Sequence, residues 1–217
     1  MGPTAVPSSG WVSAVLPAPA VPAARRRRAA IAAAVLLPVL ALAGCSGKNA
    51  VDSTAANPKN YVAGDGNVQT VATSGRHAVH GLSGRTLDGS TVNVDDWAGD
   101  VVVVNFWASW CPPCRSESAS LQAVAEATRS LGVRFLGIDS KDDSGNAKAF
   151  LRTHQVTYPS LFDQPGRLGL LFSPTASTLP TTIILDRHHR EAARISGEAR
   201  YTQLLSLVRK IAAESAA

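Results

Sequence analysis

Cysteine is scarce in this chain, with three in 217 residues, at positions 45, 111 and 114. So few exclude a disulfide-stapled scaffold, since a single bridge cannot replace a core. They also argue against a structural zinc site, because no second cysteine pair exists to supply four ligands. Asp, Glu and Lys are missing from the first 44 residues. Four of the 21 basic residues, Arg25 to Arg28, fall in that stretch, leaving 17 basic against 16 acidic residues elsewhere, a formal charge of +1. Nothing in so balanced a remainder points to a nucleic-acid surface. The apolar run from Ala29 to Ala43 is 15 residues long and contains Pro38. That is short of the roughly 20 residues a bilayer-spanning helix needs. No internal repeat is visible.

The features of the first 44 residues belong together. Four arginines, a short apolar run and the ending Leu42-Ala43-Gly44-Cys45 read as an export signal. The ending resembles a bacterial lipobox, which implies that Cys45 is acylated and becomes the mature N-terminus. The competing readings are an uncleaved signal anchor and an ordinary secretory signal with a chance cysteine. The Pro-, Ala- and Ser-rich stretch before Arg25 is long for an n-region and reads as disordered or as a start set too far upstream. Arg27-Arg28 is a weak match to twin-arginine export. Residues 46–74 are rich in Ala, Asn, Gly, Ser and Thr, so 45–76 is expected to be a flexible tether. About 30 such residues have an r.m.s. span of roughly 30 Å. The expected location is the extracytoplasmic face of a bacterial membrane, lipid-anchored, or else secreted or signal-anchored.

The remaining residues, 77–217, are enough for one well-buried domain. Leu87-Asp88-Gly89-Ser90 is a turn signal between two short strand-like pieces. Val101 to Trp107 is continuously apolar, the pattern of a strand covered on both faces. Pro112 to Leu131 reads as a helix with Leu121, Val124, Ala125 and Leu131 on one face and Gly132 as its stop. A strand over 133–139, a helix over 146–154 behind the cap-like Asp142-Asp143-Ser144, and a short strand over 158–163 follow. A strong strand over 181–186 comes next, then a polar turn at Arg187-His188-His189-Arg190 leading into 191–195. The last helix spans 201–213, with Leu204, Leu207, Val208 and Ile211 on one stripe. The order predicts an α/β fold, a mixed sheet flanked by helices, with an N-terminal hairpin and a central αβ insertion.

The chemistry is carried by Trp110-Cys111-Pro112-Pro113-Cys114. The buried strand fixes the first sulfur near its end. The helix dipole and its unpaired N–H groups favour that sulfur as thiolate, the species that attacks disulfides. Asn105-Phe106-Trp107-Ala108-Ser109-Trp110-Cys111-Pro112-Pro113-Cys114, followed about 65 residues later by Leu179-Pro180-Thr181-Thr182-Ile183-Ile184-Leu185-Asp186, resembles the thioredoxin superfamily. Within it the chain is most similar to the TlpA/ResA group of membrane-tethered thiol-disulfide oxidoreductases, over roughly residues 77–217. The resemblance implies that Pro180 is a cis proline beside the cysteines and that the Leu179 backbone can pair with an extended substrate. It also implies a proton-handling role for Glu117, three residues after Cys114. Asn105 stands where thioredoxins proper carry a buried Asp. Many relatives have a helix-kinking Pro where this chain has Ala119.

On this reading Cys111 is an exposed nucleophile at the helix N-cap and Cys114 a buried resolving thiol one turn in. The competing readings of the pair are half a zinc site and a structural disulfide; the latter would constrain little, because the loop it closes is so short. Glu117 is the expected acid-base group, against a solvated first-turn glutamate that merely suits the dipole. Trp107 is assigned to the core and Trp110 to shielding the disulfide. Trp110, Leu179, Pro180 and Thr181 are the expected substrate contacts. Arg115 reads as a solvated helix charge and His77, His80, His188 and His189 as solvated side chains. Neither a metal nor a cofactor is called for by the exchange chemistry.

The leading function is an extracytoplasmic disulfide reductase, with protein disulfides as substrates and a membrane thiol-electron donor as partner. ResA-like relatives reduce the haem-binding cysteines of apocytochrome c, which the resemblance makes the first substrate class. The other readings are an oxidase or isomerase for exported proteins and a non-catalytic lipoprotein that binds haem, copper or a partner. A thiol peroxidase would need a Thr-x-x-Cys frame that this chain lacks.

Overall fold

The structure, a computed structural model, describes residues 66–214. The signal segment, Cys45 and the tether as far as residue 65 lie outside the described residues. The strands are β1 (Asn67–Thr70), β2 (Ser83–Arg85), β3 (Thr91–Asn93), β4 (Val101–Trp107), β5 (Val133–Ser140), β6 (Ser160–Asp163), β7 (Thr181–Leu185) and β8 (Glu191–Ser196). The α-helices are α1 (Pro112–Thr128), α2 (Ser144–Thr153) and α3 (Tyr201–Ala212).

Six strands form one mixed sheet in the order β1-β8-β7-β4-β5-β6, and β2-β3 form a separate hairpin. β4 pairs in parallel with β5, and β5 with β6; the β4–β7, β7–β8 and β1–β8 pairs are antiparallel. All seven residues of β4 are buried, as its unbroken apolar sequence requires of a central strand covered on both faces. Val101, Val103, Phe135 and Ile184 pack with Leu121 and Val124 of α1 and with Leu204, Val208 and Ile211 of α3. Val102, Val104, Phe106, Leu136, Ile138 and Ile183 gather with Leu82, Leu161, Phe172, Ala176 and Leu179. The strand that leads to the cysteines is thus fixed from both sides.

Several boundaries differ from the sequence reading. The fold begins ten residues before His77, because β1, placed by sequence in the tether, adds to the sheet edge. Its four residues are mostly exposed and are held by backbone pairing with β8, so no apolar pattern announces it. α1 ends at Thr128 and gives way to a 3-10 turn, Arg129–Leu131, closed by Gly132 at φ 68°. Leu131 therefore leaves the buried face and is 41% exposed. α2 starts at Ser144 because the Asp143 carboxylate caps the N–H groups of Gly145 and Asn146. His189, expected to be solvated, is buried at φ 53° with its Nε2 3.2 Å from the Trp97 carbonyl. His77, His80 and His188 are exposed. Arg76 ties the two ends of the domain together, donating to Asp186 at 3.1 Å and to Glu214 at 2.5 and 2.9 Å.

Candidate active site

β4 carries the chain to Trp107, and a turn closed by Cys111 N–H donating to the Ala108 carbonyl delivers Cys111 to the N-cap of α1. Pro112 and Pro113 open the helix, where missing N–H groups cost no intrahelical bond. The remaining first-turn donor, the Cys114 N–H, reaches the Cys111 sulfur at 3.3 Å. Cys111 and Cys114 are joined by a disulfide with Cα atoms 5.3 Å apart. Cys114 is buried as expected, but Cys111 is 0% exposed, which corrects the expectation of an exposed sulfur. The disulfide packs in the apolar cluster that holds Phe106, Phe172, Ala176 and Leu179, with Trp110 against it.

The loop before Cys111 is braced by the end of β5. Ser109 N–H donates to Asp142 Oδ2 at 2.5 Å, and Trp110 Nε1 donates to the Lys141 carbonyl at 3.1 Å. Arg115, exposed as expected, donates from Nε and Nη2 to the Ser109 carbonyl. Sequence reasoning took Asp142 only as part of a helix cap; its place just beyond a buried strand, level with the end of β4, was the available signal.

The β4–β7 register sets Phe106 opposite Thr181, so the residue before β7, Pro180, sits at the strand end that leads to the cysteines. The Leu179-Pro180 bond is cis, as the resemblance implied, and so is Ser173-Pro174, which nothing in the sequence announced. Gly197 N–H donates to the Pro180 carbonyl at 2.9 Å. Among the described residues the Leu179 backbone takes part in no backbone hydrogen bond. Leu179 and Thr181 are both buried, and the Thr181 hydroxyl turns inward to the Thr178 carbonyl at 2.8 Å.

Glu117 is fully buried, not a solvated first-turn residue. Asn105 Nδ2 donates to its Oε1 at 2.8 Å and Ala199 N–H to its Oε2 at 2.7 Å. Burial outweighs both bonds and pushes the carboxyl up to about 8. Asp139, at the end of β5, is likewise pushed up to about 8, by burial and then by the charges of Asp142, Asp143 and Asp163. Tyr158 is raised by burial and by Glu117, so phenol and carboxyl share one interior region. Among the described residues no group of three or more His, Cys, Asp or Glu is placed to hold a metal ion.

A sulfur at a helix N-cap, a second sulfur one turn away bonded to it and a buried carboxyl three residues further along α1 are parts that thiol–disulfide exchange can use. Known proteins agree with that chemistry. The pattern of the AhpC/TSA family matches residues 76–190. The chain is 26% identical over 125 residues to the thiol-disulfide oxidoreductase ResA of Bacillus thuringiensis subsp. konkukian, covering 58% of this chain and 71% of that protein. The structure of a DsbF homologue from Corynebacterium diphtheriae superposes with a TM-score of 0.64 at 32% identity, covering 69% of this chain and 96% of that one. A secreted thiol-disulfide isomerase from Corynebacterium glutamicum gives 0.65 at 31% identity, covering 71% and 97%.

Proposed function

Because the chain belongs to the AhpC/TSA family and is a thiol-disulfide oxidoreductase on a thioredoxin-like fold, we propose that it works as a disulfide reductase outside the cytoplasm, held to the membrane by a lipid on Cys45. The observation that carries the direction of attack is the Cys114 N–H donating to the Cys111 sulfur at the N-cap of α1. It supports Cys111 as the sulfur stabilised as thiolate. Access requires the residues over Cys111, buried while the disulfide is closed, to give way; the Cys111 thiolate then attacks a protein disulfide, one substrate sulfur leaves, and a mixed disulfide forms. Cys114 then displaces the second substrate sulfur and closes the Cys111–Cys114 bond. The enzyme dithiol is oxidised and the substrate disulfide reduced, two electrons each. A membrane thiol-electron donor restores the dithiol.

Glu117 holds or releases the proton this cycle moves, and a carboxyl held near 8 by burial is suited to that task. Trp110, Leu179, Pro180 and Thr181 form the substrate contact: the first covers the disulfide and the Leu179 backbone is available to an extended chain. Thr181, its backbone paired on both sides by β4 and β8, holds Pro180 at that surface. The likeness to ResA supports apocytochrome c thiols as the substrate class. One observation favours a second reading, that of an isomerase or oxidase for exported proteins: the 31% identity to the secreted isomerase of Corynebacterium glutamicum.

The deciding experiment is capture with Cys114→Ala in the full-length chain. Removing the resolving thiol leaves substrates attached to Cys111, where mass spectrometry identifies them. Apocytochrome c among the captured chains, with the parent protein largely reduced in cells, supports the reductase. A broad set of exported proteins, with the parent largely oxidised, supports the second reading. Loss of membrane association in Cys45→Ala tests the anchor.

A further inference from the structure

When Cys114 displaces a substrate sulfur from Cys111, the S–S bond to the substrate breaks and the Cys111–Cys114 bond forms. The substrate leaves as thiolate, and the proton of the Cys114 thiol must leave the interior. Cys114 is 2% exposed. Glu117, three residues further along α1, can hold a proton but cannot deliver it to solvent, because the two groups bonded to it, Asn105 and Ala199, are buried as well. A path from this interior to solvent is therefore needed.

Next to Cys114 is a cavity of about 10 Å³, where the polar groups of Asn105, Ser118 and Tyr158 meet apolar walls from Leu121, Phe150 and Val156. That is about the room one water molecule occupies. Ser118 follows Cys114 by one helical turn and is itself buried. Its Oγ lies 2.8 Å from the Arg115 carbonyl and 3.0 Å from Nδ1 of His154. A hydroxyl has one proton and here two places to send it. It either donates to the Arg115 carbonyl and accepts from Nδ1–H, or donates to Nδ1. His154 is only half-buried. It is held in place by its own N–H on the Phe150 carbonyl and by its ring against Phe150, centroids 4.4 Å apart. Phe150 in turn stacks on Trp107 at 4.5 Å. Cavity, hydroxyl and imidazole thus follow one another from Cys114 towards the half-buried end of α2.

We propose that Ser118 and His154 relay the Cys114 proton between the buried thiol and solvent, an inference that rests on the exchange reaction assigned above. The thiol gives its proton to a water in the cavity, and that water passes one to Ser118. The Ser118 hydroxyl gives its own proton to Nδ1, and the imidazole releases the Nε2 proton outside. Reduction of the disulfide runs the same path inward. Imidazole suits the last station because one ring nitrogen can accept a proton while the other donates one. Neither residue touches the sulfur exchange itself.

The test separates the two chemical steps in the full-length protein. Attack by Cys111 is timed as mixed-disulfide formation in the Cys114→Ala background, and closure as formation of the Cys111–Cys114 bond. His154→Gln keeps a hydrogen-bonding side chain but cannot carry a proton through. It should slow closure about tenfold or more and leave the attack step unchanged. His154→Ala should be equally slow, and free imidazole should restore it. Ser118→Ala should be slow and not restored. Closure at the parental rate in His154→Gln, equal slowing of both steps, or no restoration by imidazole overturns the relay. Failure of Cys114→Ala to form any mixed disulfide would instead overturn the oxidoreductase reading.

Discussion

Asn105 in β4 and Glu117 in α1 are joined across the helix–sheet interface by a 2.8 Å hydrogen bond from Nδ2 to Oε1. The same Nδ2 reaches the Thr182 hydroxyl at 3.1 Å. One amide thereby links the strand before the cysteines, the helix after them and the strand after Pro180.

That buried pair has a consequence for stability. Glu117 and Asp139 each titrate near 8 in the folded protein, whereas free carboxyls titrate at about 4. Between those values the folded state holds a proton that the unfolded state has shed. Each group therefore makes stability fall as pH rises from about 4 towards 8, by up to about 1.4 kcal/mol per pH unit. Relative to the parent, Glu117→Gln and Asp139→Asn should gain stability at pH 8 compared with pH 5. Urea titrations at the two pH values measure it, and a parallel pH dependence in parent and variants would refute it.

The potential of the disulfide is expected on the reducing side. A cysteine N-cap draws on the N–H groups of the second and third helical residues, and here the second is Pro113, which has none. With the Cys114 N–H as the first-turn donor to Cys111, thiolate stabilisation is moderate. Equilibration with glutathione should give a value nearer the ~−270 mV of thioredoxin than the ~−120 mV of a strong oxidant; a value above about −180 mV would contradict it. Pro113→Ala restores a donor and should move the potential upward.

Gly137 marks a close approach beneath the site. A Cβ there would sit 2.8 Å from Nε1 of Trp107 and collide with the Ser160 side chain. Gly137→Ala should cost about 1–3 kcal/mol of unfolding free energy, the range for overpacked interiors. Adding Ser160→Gly should recover part of it, and a Gly137→Ala protein as stable as the parent would show that this layer yields freely.

Arg76 is 5% exposed at its side chain and bridges Asp186, equally buried, and Glu214, one-third exposed. Arg76→Ala leaves Asp186 with less compensation and releases the end of α3. A loss of about 2 kcal/mol is expected, below the range for a fully buried pair because Glu214 can turn to water. Calorimetry decides, and an unchanged melting temperature would place the bridge among those of no net worth.

What the sequence disclosed follows the same physics. β4 was legible to the residue because a central strand is apolar on both faces, and the cysteines at a strand–helix junction disclosed the chemistry. β1 was not legible, since Asn67-Val68-Gln69-Thr70 is fixed by backbone pairing at an edge. The burial of Cys111 is not legible because an N-cap position says nothing about the segment between β6 and β7, whose Phe172, Ala176 and Leu179 share its apolar cluster. Glu117 lies in the second turn of α1, and only the three-dimensional positions of Asn105 and Ala199 show why it is buried. Ser118 and His154 stand 36 residues apart and share no pattern.

The described chain enters through Gly66, whose N–H bonds the Ser196 carbonyl, and Ser196 stands opposite Thr181, the neighbour of Pro180. The first described residue and the reactive sulfurs consequently lie at one rim of the sheet. Under the lipid anchor proposed above, a client held by the membrane and the reactive sulfurs would therefore face the same rim, so shortening the chain upstream of Gly66 is expected to slow exchange with large clients more than with small disulfides.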